Sequence, residues 1–194
     1  MGLPTVFIRL TGCPLRCGYC DTTYAFQGGE WMQIDQILAQ VGQYNTPYVT
    51  VTGGEPLAQK KCQALMTALC DKGYAVSLET SGALDISQVD PRVDIVMDVK
   101  TPGSGEEGKN LYANLQYLRS RDQIKFVISN QEDYLWAKAL LTEEGLTERC
   151  EILFSPVFNT LDAPTLAEWI LNDQLKVRMQ VQLHKILWGD KPGH

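Results

Sequence analysis

The sequence predicts an α/β fold, built as an open, partial barrel of six β/α units in a single domain of residues 1–194. Short runs of β-branched and aromatic residues alternate along the chain with stretches whose apolar residues recur at helical spacing. This alternation is typical of parallel βα units. Six strands are too few for the closed eight-stranded barrel, and 194 residues are enough to bury one core.

Glycine, proline or polar residues end each predicted strand. The six main strands cover residues 5–10, 48–52, 75–79, 94–100, 123–128 and 151–154. Apolar spacing predicts helices around residues 34–41, 62–73, 111–118, 134–140 and 166–170. The alternating segment 177–183 predicts a partly exposed closing strand. Because the carboxyl ends of parallel strands converge, we expect the polar groups that follow them to surround one pocket.

Composition and charge narrow the classes of function. Hydrophobic residues make up 44% and charged residues 21% of the chain, as in an ordinary globular protein. We expect a cytoplasmic protein, because no apolar run approaches a membrane span, the N-terminus lacks a secretory signal, and the six cysteines show no paired framework. A net charge of −6 disfavours nucleic acid as a direct partner and favours a small-molecule substrate.

Three cysteines, Cys13, Cys17 and Cys20, follow the first predicted strand at C-x3-C-x2-C spacing. Cysteine thiolates hold iron–sulfur clusters, and a cubane normally takes four of them. Three grouped ligands would leave one iron open to a group that is not protein. The alternatives are a structural zinc site and unrelated core cysteines. Zinc would require a fourth Cys or His, and the two histidines, His184 and His194, lie at the far end of the chain.

This cysteine pattern resembles that of the radical S-adenosylmethionine (SAM) superfamily. The resemblance implies that Cys13, Cys17 and Cys20 hold a [4Fe-4S] cluster. In that superfamily the amino and carboxylate groups of SAM chelate the fourth iron, and one electron from the cluster splits the sulfonium to release a 5′-deoxyadenosyl radical. The expected fold is then the partial (β/α)6 barrel of the radical SAM type.

Further motifs resemble one family within this superfamily, the 7-carboxy-7-deazaguanine synthases. That family converts 6-carboxy-5,6,7,8-tetrahydropterin to 7-carboxy-7-deazaguanine and ammonia, on the route to queuosine and thus to tRNA modification. The resemblance also implies Mg²⁺ as a cofactor, a homodimer, and a flavodoxin-like or ferredoxin-like electron donor. The motifs are Phe7–Cys13, Cys20–Thr22, Thr52–Pro56, Glu79–Gly82 and Gln182–Lys185.

The same resemblance assigns the site residues. Thr22 corresponds to a threonine that binds Mg²⁺, an ion that prefers oxygen ligands, although a threonine in this place can also cap a turn. Arg9 and Thr52 correspond to substrate-binding residues, and a guanidinium suits a carboxylate. The SAM contacts correspond to Tyr19, Cys20, Asp21, Gly54, Asp98, Val99, Lys100, Ser155, Pro156, Val157 and Phe158.

For three residues near the predicted site, the sequence either gives a physical reason for the expected role or leaves two roles open. Gly54 lacks a Cβ, so its backbone is expected to approach the methionine end of SAM closely. Glu55 either engages the amino group of SAM or braces its own loop. Lys100 either contacts SAM or is a surface cation that follows a strand.

One departure from the family concerns the start of the chain. The family carries a Gln-Gly-Glu-Gly stretch before its first strand, where it contacts the pterin ring, and this sequence begins Met1-Gly-Leu-Pro without it. We therefore expect the chain as given to cleave SAM but to contract the pterin ring poorly.

Two other functions compete with this hypothesis. Another radical SAM enzyme, such as a glycyl-radical activating enzyme, would often carry additional cluster cysteines. A non-enzymatic iron–sulfur module would shield its cluster with four cysteines. Neither cysteine arrangement is evident in the sequence, because Cys62, Cys70 and Cys150 lack such spacing.

Overall fold

Seven parallel strands form one sheet in the computed structural model, which describes residues 2–189 and Lys191. The strands are β1 (Val6–Leu10), β2 (Tyr48–Gly53), β3 (Ala75–Thr80), β4 (Asp94–Val99), β5 (Gln123–Ile128), β6 (Glu151–Pro156) and β7 (Arg178–Met179). They pair in sequence order, each parallel to the next. Within the described residues β1 and β7 pair on one side only, so the barrel is open, as the sequence predicts. His194 lies outside the described residues.

Helices connect most neighbouring strands. They are α1 (Ile34–Val41) between β1 and β2, α2 (Cys62–Asp71) between β2 and β3, α3 (Gln131–Glu143) between β5 and β6, α4 (Ala163–Asn172) between β6 and β7, and α5 (Leu183–Trp188) after β7. In the described part of the chain, no helix has the length and apolar character needed to cross a bilayer.

The helix predicted at 111–118 is wrong as an α-helix. The segment forms the 3-10 helix Tyr112–Tyr117. Its Asn114 side chain is fully buried, donates to the carbonyls of Gly82 and Leu84, and accepts from the N–H of Ile86. These bonds fasten the segment to the loop between β3 and β4, so apolar spacing alone is a poor guide to its conformation.

The closing strand predicted at 177–183 is also wrong in its length. Only Arg178 and Met179 pair with β6, and the last ladder bond runs from the N–H of Gln180 to the carbonyl of Phe154. Two residues further along that edge of β6 stands Pro156, which has no N–H to donate. The ladder stops there, and the chain turns into α5.

The two faces of the sheet differ in chemistry, since successive residues of a strand point to opposite sides. The outer face is apolar and is covered by the helices: one core lies on β1 to β3 with α1 and α2, and a second on β4 to β7 with α3 and α4. The opposite face, which we call the inner face, carries polar side chains: Arg9, Thr50, Thr52, Ser77, Glu79, Asp98, Lys125 and Ser155. The helices leave this inner face free for a ligand site.

Aromatic side chains fill the larger outer core. Phe126 and Phe154, both completely buried, meet edge to face with ring centroids 5.5 Å apart, and Tyr134 meets Phe154 in the same way at 6.0 Å. Such pairs add about 0.5–1.5 kcal/mol beyond the burial of their area. The outer core therefore holds the strands in register and supports the inner face from behind.

Candidate active site

The cysteine loop, residues 11–22, leaves the carboxyl end of β1 and is held by backbone hydrogen bonds to other loops. The N–H of Glu55 donates to the carbonyl of Gly12 at 2.8 Å. The N–H of Gly18 donates to the carbonyl of Ser104 at 3.0 Å. The loop is thus fastened to the segments that follow β2 and β4, at the edge of the sheet where a site was predicted.

Two glycines, Gly53 at the end of β2 and Gly54 directly after it, permit this close docking. A Cβ on Gly54 would stand 2.2 Å from the carbonyl oxygen of Gly12, and a Cβ on Gly53 would stand 2.0 Å from that of Leu10. Both distances are far inside van der Waals contact, so a larger residue would displace the end of β1 at Gly53 and the cysteine loop at Gly54. The glycine at position 54 therefore has a structural reason that is independent of its predicted contact with SAM.

The thiols of Cys13, Cys17 and Cys20 are free and partly exposed. Burial raises the pKa of Cys17, whereas the nearby ammonium of Lys100 acts to lower it. Burial also raises the pKa of Cys20. Because thiolates are the metal-binding form, iron loading at these residues must release protons.

The chemistry of these three thiols fits a [4Fe-4S] cluster, since soft thiolates are its usual ligands. They share one loop, none is consumed in a disulfide, and each is accessible from solvent. Over residues 2–189 and Lys191, no three His, Cys, Asp or Glu side chains are grouped closely enough to form a metal site. The three thiols are therefore suitable donors that share one loop, but their side chains are not arranged as a compact ligand set.

Glu55 is a fully buried carboxylate between the ends of β2 and β3. It accepts hydrogen bonds from the N–H of Leu57 (3.0 Å), the hydroxyl of Thr80 (2.9 Å), and both the N–H (2.7 Å) and the hydroxyl of Ser81. These donors occupy both carboxylate oxygens. They favour the role of a loop brace over a contact with SAM.

Asp98 and Lys100 form an ion pair at the end of β4, with 3.0 Å between Oδ2 and Nζ. Lys100 is buried, which argues against a surface cation. Burial by itself lowers the pKa of Lys100, but the neighbouring Asp98 carboxylate and the thiol of Cys17 outweigh it and raise the pKa overall. The lysine therefore stays charged beside the cysteine loop.

The second carboxylate oxygen of Asp98, Oδ1, is buried and has no hydrogen-bond partner among the described residues. A buried acceptor without a donor costs about 1–3 kcal/mol, and native structures contain few of them. The hydroxyl of Tyr19 donates to the carbonyl of Val127 at 3.4 Å, and burial together with the charge of Asp98 raises the Tyr19 pKa. Two predicted SAM residues are thus neighbours, and one of them offers an acceptor that suits a ligand hydroxyl or ammonium group.

The predicted SAM residues on β4 and β6 do not all face the same way. Ser155 is on the inner face, Pro156 ends β6, and Val157 follows it, all three buried. Phe158, two residues after the end of β6, is 39% exposed. Val99 packs its side chain into the outer core, so only its backbone can meet a ligand.

Arg9 projects from β1 on the inner face. Its guanidinium lies 5.8 Å from the ring centroids of both Phe7 and Tyr24, and it forms no ion pair with any described residue. Thr52, its register partner on β2, donates to Glu79 at 3.4 Å. Both predicted substrate residues are therefore on the same face, and the arginine is available to an anion.

The C-terminal segment reaches back to the cysteine loop. Asp21 accepts a hydrogen bond from the hydroxyl of Thr22 at 2.7 Å and another from the side chain of Gln182 at 2.7 Å, and His184 lies 3.8 Å from it. Thr22 precedes the 3-10 helix Thr23–Ala25 but makes no capping bond with its side chain, which argues against the turn-cap alternative. Its oxygen keeps lone pairs that a cation can use.

Comparisons with known proteins identify the family. The family model described as the radical SAM superfamily matches residues 7–151. A protein of Chlorobaculum tepidum named 7-carboxy-7-deazaguanine synthase is 46% identical over 191 residues, which cover 97% of this chain and 87% of that relative. The chain belongs to the 7-carboxy-7-deazaguanine synthase family. A relative of the same name from Koribacter versatilis is 41% identical over 203 residues, with 96% and 89% of the two chains covered.

Solved structures agree with this family. The crystal structure of QueE from Escherichia coli superposes with a TM-score of 0.73 and 25% identity, over 92% of this chain and 86% of that one. Streptococcus suis SuiB shares the fold with a TM-score of 0.67 at 13% identity. The predicted radical SAM fold and family are confirmed, and the alternatives of a glycyl-radical activating enzyme or an iron–sulfur module are not favoured.

Two features of the structure were not assigned from the sequence: the position of Lys125 on the inner face and the contact of Gln182 with the cysteine loop. The alternation of side chains along a strand could have placed Lys125 there, because half-buried residues alternate with fully buried apolar ones along β5. No local pattern signals the bond between Gln182 and Asp21, whose positions are 161 residues apart. Only the folded chain brings them together.

We predict that Glu55→Gln destabilises the protein, because the amide replaces one acceptor oxygen with an NH2 group that faces other donors. The free energy of unfolding should fall by roughly 1–3 kcal/mol in anaerobic chemical denaturation. The exposed Glu143→Gln on α3 is the matched control and should change it by less than about 0.5 kcal/mol. Equal stability of Glu55→Gln and the wild type would show that Glu55 is not a brace.

Proposed function

We propose that this chain is a radical SAM lyase that converts 6-carboxy-5,6,7,8-tetrahydropterin to 7-carboxy-7-deazaguanine with release of ammonia, in queuosine biosynthesis. The observation that carries the proposal is a loop with three free cysteines, docked at the edge of an inner face that presents the unpaired guanidinium of Arg9. The thiols suit an iron–sulfur cluster, and the guanidinium suits an acidic substrate. Relatives with this name at 46% and 41% identity support the same reaction.

Cys13, Cys17 and Cys20 would hold the [4Fe-4S] cluster, which when bound supplies the electron for cleavage of the SAM sulfonium. Lys100 keeps a positive charge near Cys17, and this charge favours the thiolate that ligation requires. Asp98 Oδ1 would accept a hydrogen bond from a hydroxyl or the ammonium group of SAM. The remaining proposed SAM contacts are Tyr19, Cys20, Asp21, Gly54, Val99 through its backbone, Ser155, Pro156, Val157 and Phe158.

Arg9 would bind the carboxylate of the pterin with charge-assisted hydrogen bonds. The rings of Phe7 and Tyr24 flank its guanidinium and limit its motion without consuming its N–H groups. Thr52 and Glu79 present a hydroxyl and a carboxylate on the same face, which suit the polar edge of a pterin. These residues orient the substrate on the inner face, close to the cysteine loop.

Thr22 would supply an oxygen ligand to Mg²⁺, because its hydroxyl donates its hydrogen bond to Asp21 and its lone pairs remain available. We also propose that the enzyme acts as a homodimer in the cytoplasm with a flavodoxin-like or ferredoxin-like electron donor. The free state of all six cysteines suits a reducing compartment.

The reconstituted enzyme should form 7-carboxy-7-deazaguanine from carboxytetrahydropterin under anaerobic conditions with SAM, Mg²⁺ and a reductant, as measured by mass spectrometry.

Cys17→Ala should lose both cluster iron and SAM cleavage, because only two of the three thiolates would remain to hold the cluster. Cys62→Ala is the control, since Cys62 packs in the outer core away from the loop, and both properties should survive. Full iron content and SAM cleavage in Cys17→Ala would refute the cluster assignment.

Arg9→Ala should weaken binding of the carboxytetrahydropterin much more than binding of SAM. A lost hydrogen bond to a charged group costs about 1.5–3 kcal/mol, so the Kd should rise roughly tenfold or more. Isothermal titration of the cluster-loaded enzyme without reductant measures both ligands. Arg92→Ala removes a guanidinium paired with Asp90 and is the matched control. An equal loss for both ligands, or none, would contradict the assignment.

Thr22→Ala should raise the Mg²⁺ concentration needed for half-maximal turnover by about tenfold or more, because the loss of a residue that only supports a metal ligand already costs about that much. The cluster absorbance should stay unchanged, because the thiols are untouched. Thr23→Ala, at the exposed neighbouring position, serves as the control. If Mg²⁺ dependence is identical in Thr22→Ala and the wild type, the threonine is not a ligand.

A further inference from the structure

Lys125 lies on the inner face of β5. Its neighbours Ile124 and Phe126 are completely buried in the outer core, so strand parity directs the lysine to the opposite side. The carbonyl of Val127, two residues further along β5, accepts the hydroxyl of Tyr19 from the cysteine loop. Two residues of a strand span about 6.6 Å. Lys125 therefore lies about that far along β5 from the carbonyl that accepts the Tyr19 hydroxyl, and its register partner on β4 is Asp98.

Lys125 is half-buried, yet its ammonium makes no hydrogen bond or ion pair with another residue in the described part of the chain. Two other shielded cations have carboxylate partners: Lys100 pairs with Asp98 at 3.0 Å, and Arg119 with Asp122 at 2.9 Å. The ammonium of Lys125 therefore has no counter-charge among the described residues. An anionic ligand would supply the missing partner.

A second cation without a counter-charge acts on the same region. Arg9 projects from β1 and Lys125 from β5, and both inner-face cations influence His184. Burial is the main cause of the lowered His184 pKa, Asp21 opposes it, and Lys185, Arg9 and Lys125 add to the lowering. Because charge interactions weaken with distance, both cations are close enough to His184 for their charges to act on it.

We propose that Lys125 is a second anion-binding residue of the active site, whose ammonium holds a ligand carboxylate. This inference rests on the proposed function, which brings two carboxylates to the inner face, one on the pterin acid and one on SAM. The carboxylates of Glu79 and Asp98 on that face already interact with Thr52 and Lys100. Although Oδ1 of Asp98 is free and Asp98 is the register partner of Lys125, the two residues form no ion pair, so the ammonium of Lys125 is left for a ligand carboxylate.

The test measures equilibrium binding to the cluster-loaded enzyme by anaerobic titration without reductant, so that no turnover occurs. Wild type, Lys125→Met and Lys125→Arg are each titrated with carboxytetrahydropterin, tetrahydropterin without the carboxylate, SAM and decarboxylated SAM. Lys176→Met, whose side chain is 83% exposed, is the matched control. Iron content and circular dichroism verify folding, and Lys125→Gln replaces Lys125→Met if that variant fails to load the cluster.

We expect Lys125→Met to weaken one carboxylate ligand roughly tenfold to a hundredfold, to leave its decarboxylated counterpart unchanged, and to be partly rescued by Lys125→Arg. The ligand whose affinity falls identifies the source of the carboxylate. Unchanged affinities, or equal losses with and without the carboxylate, would overturn the proposal. Failure of the proposed function has a different signature: the wild-type enzyme would not bind or convert the pterin, while the SAM titrations still test Lys125.

Discussion

The docking of the cysteine loop on Gly53, Gly54 and Glu55 is the constraint on which the site depends. The two glycines allow backbone to approach backbone at distances that any side chain would prevent. The N–H of Glu55 holds the loop at Gly12, while its carboxylate is fixed to Thr80 and Ser81 at the end of β3. A buried carboxylate is tolerated there because donors satisfy both of its oxygens.

The alternation of side chains along each strand separates the apolar core residues from the polar residues of the inner face. Apolar positions pack under the helices on the outer face, and the alternate positions are free to carry arginine, threonine, glutamate and lysine on the inner face. Because the helices stabilise the sheet from one side only, polar groups on the other side need not be accommodated in a dry core. The same sheet can therefore be rigid and present a polar ligand surface.

The arrangement of charges explains how an acidic chain can bind acidic ligands. The net charge is −6, yet Arg9, Lys100 and Lys125 are all placed on or beside the inner face. Lys100 is matched by Asp98 and influences the cysteine loop, whereas the other two cations have no carboxylate partner among the described residues. Cations are thus concentrated where carboxylates and thiolates are expected, and most of the acidic residues lie elsewhere.

The sequence by itself determined the parallel α/β class, six of the strands, the cysteine loop and the family, because these depend on local periodicity and on motifs such as Cys20–Thr22. It misjudged the segments at 111–118 and 177–183, where the side chain of Asn114 and the missing N–H of Pro156 act across the fold. Only the tertiary structure decided that Glu55 is a brace, that Asp98 has a buried acceptor, and that Gln182 contacts Asp21. Each of these depends on groups far apart in the chain, and local sequence patterns carry no information about such contacts.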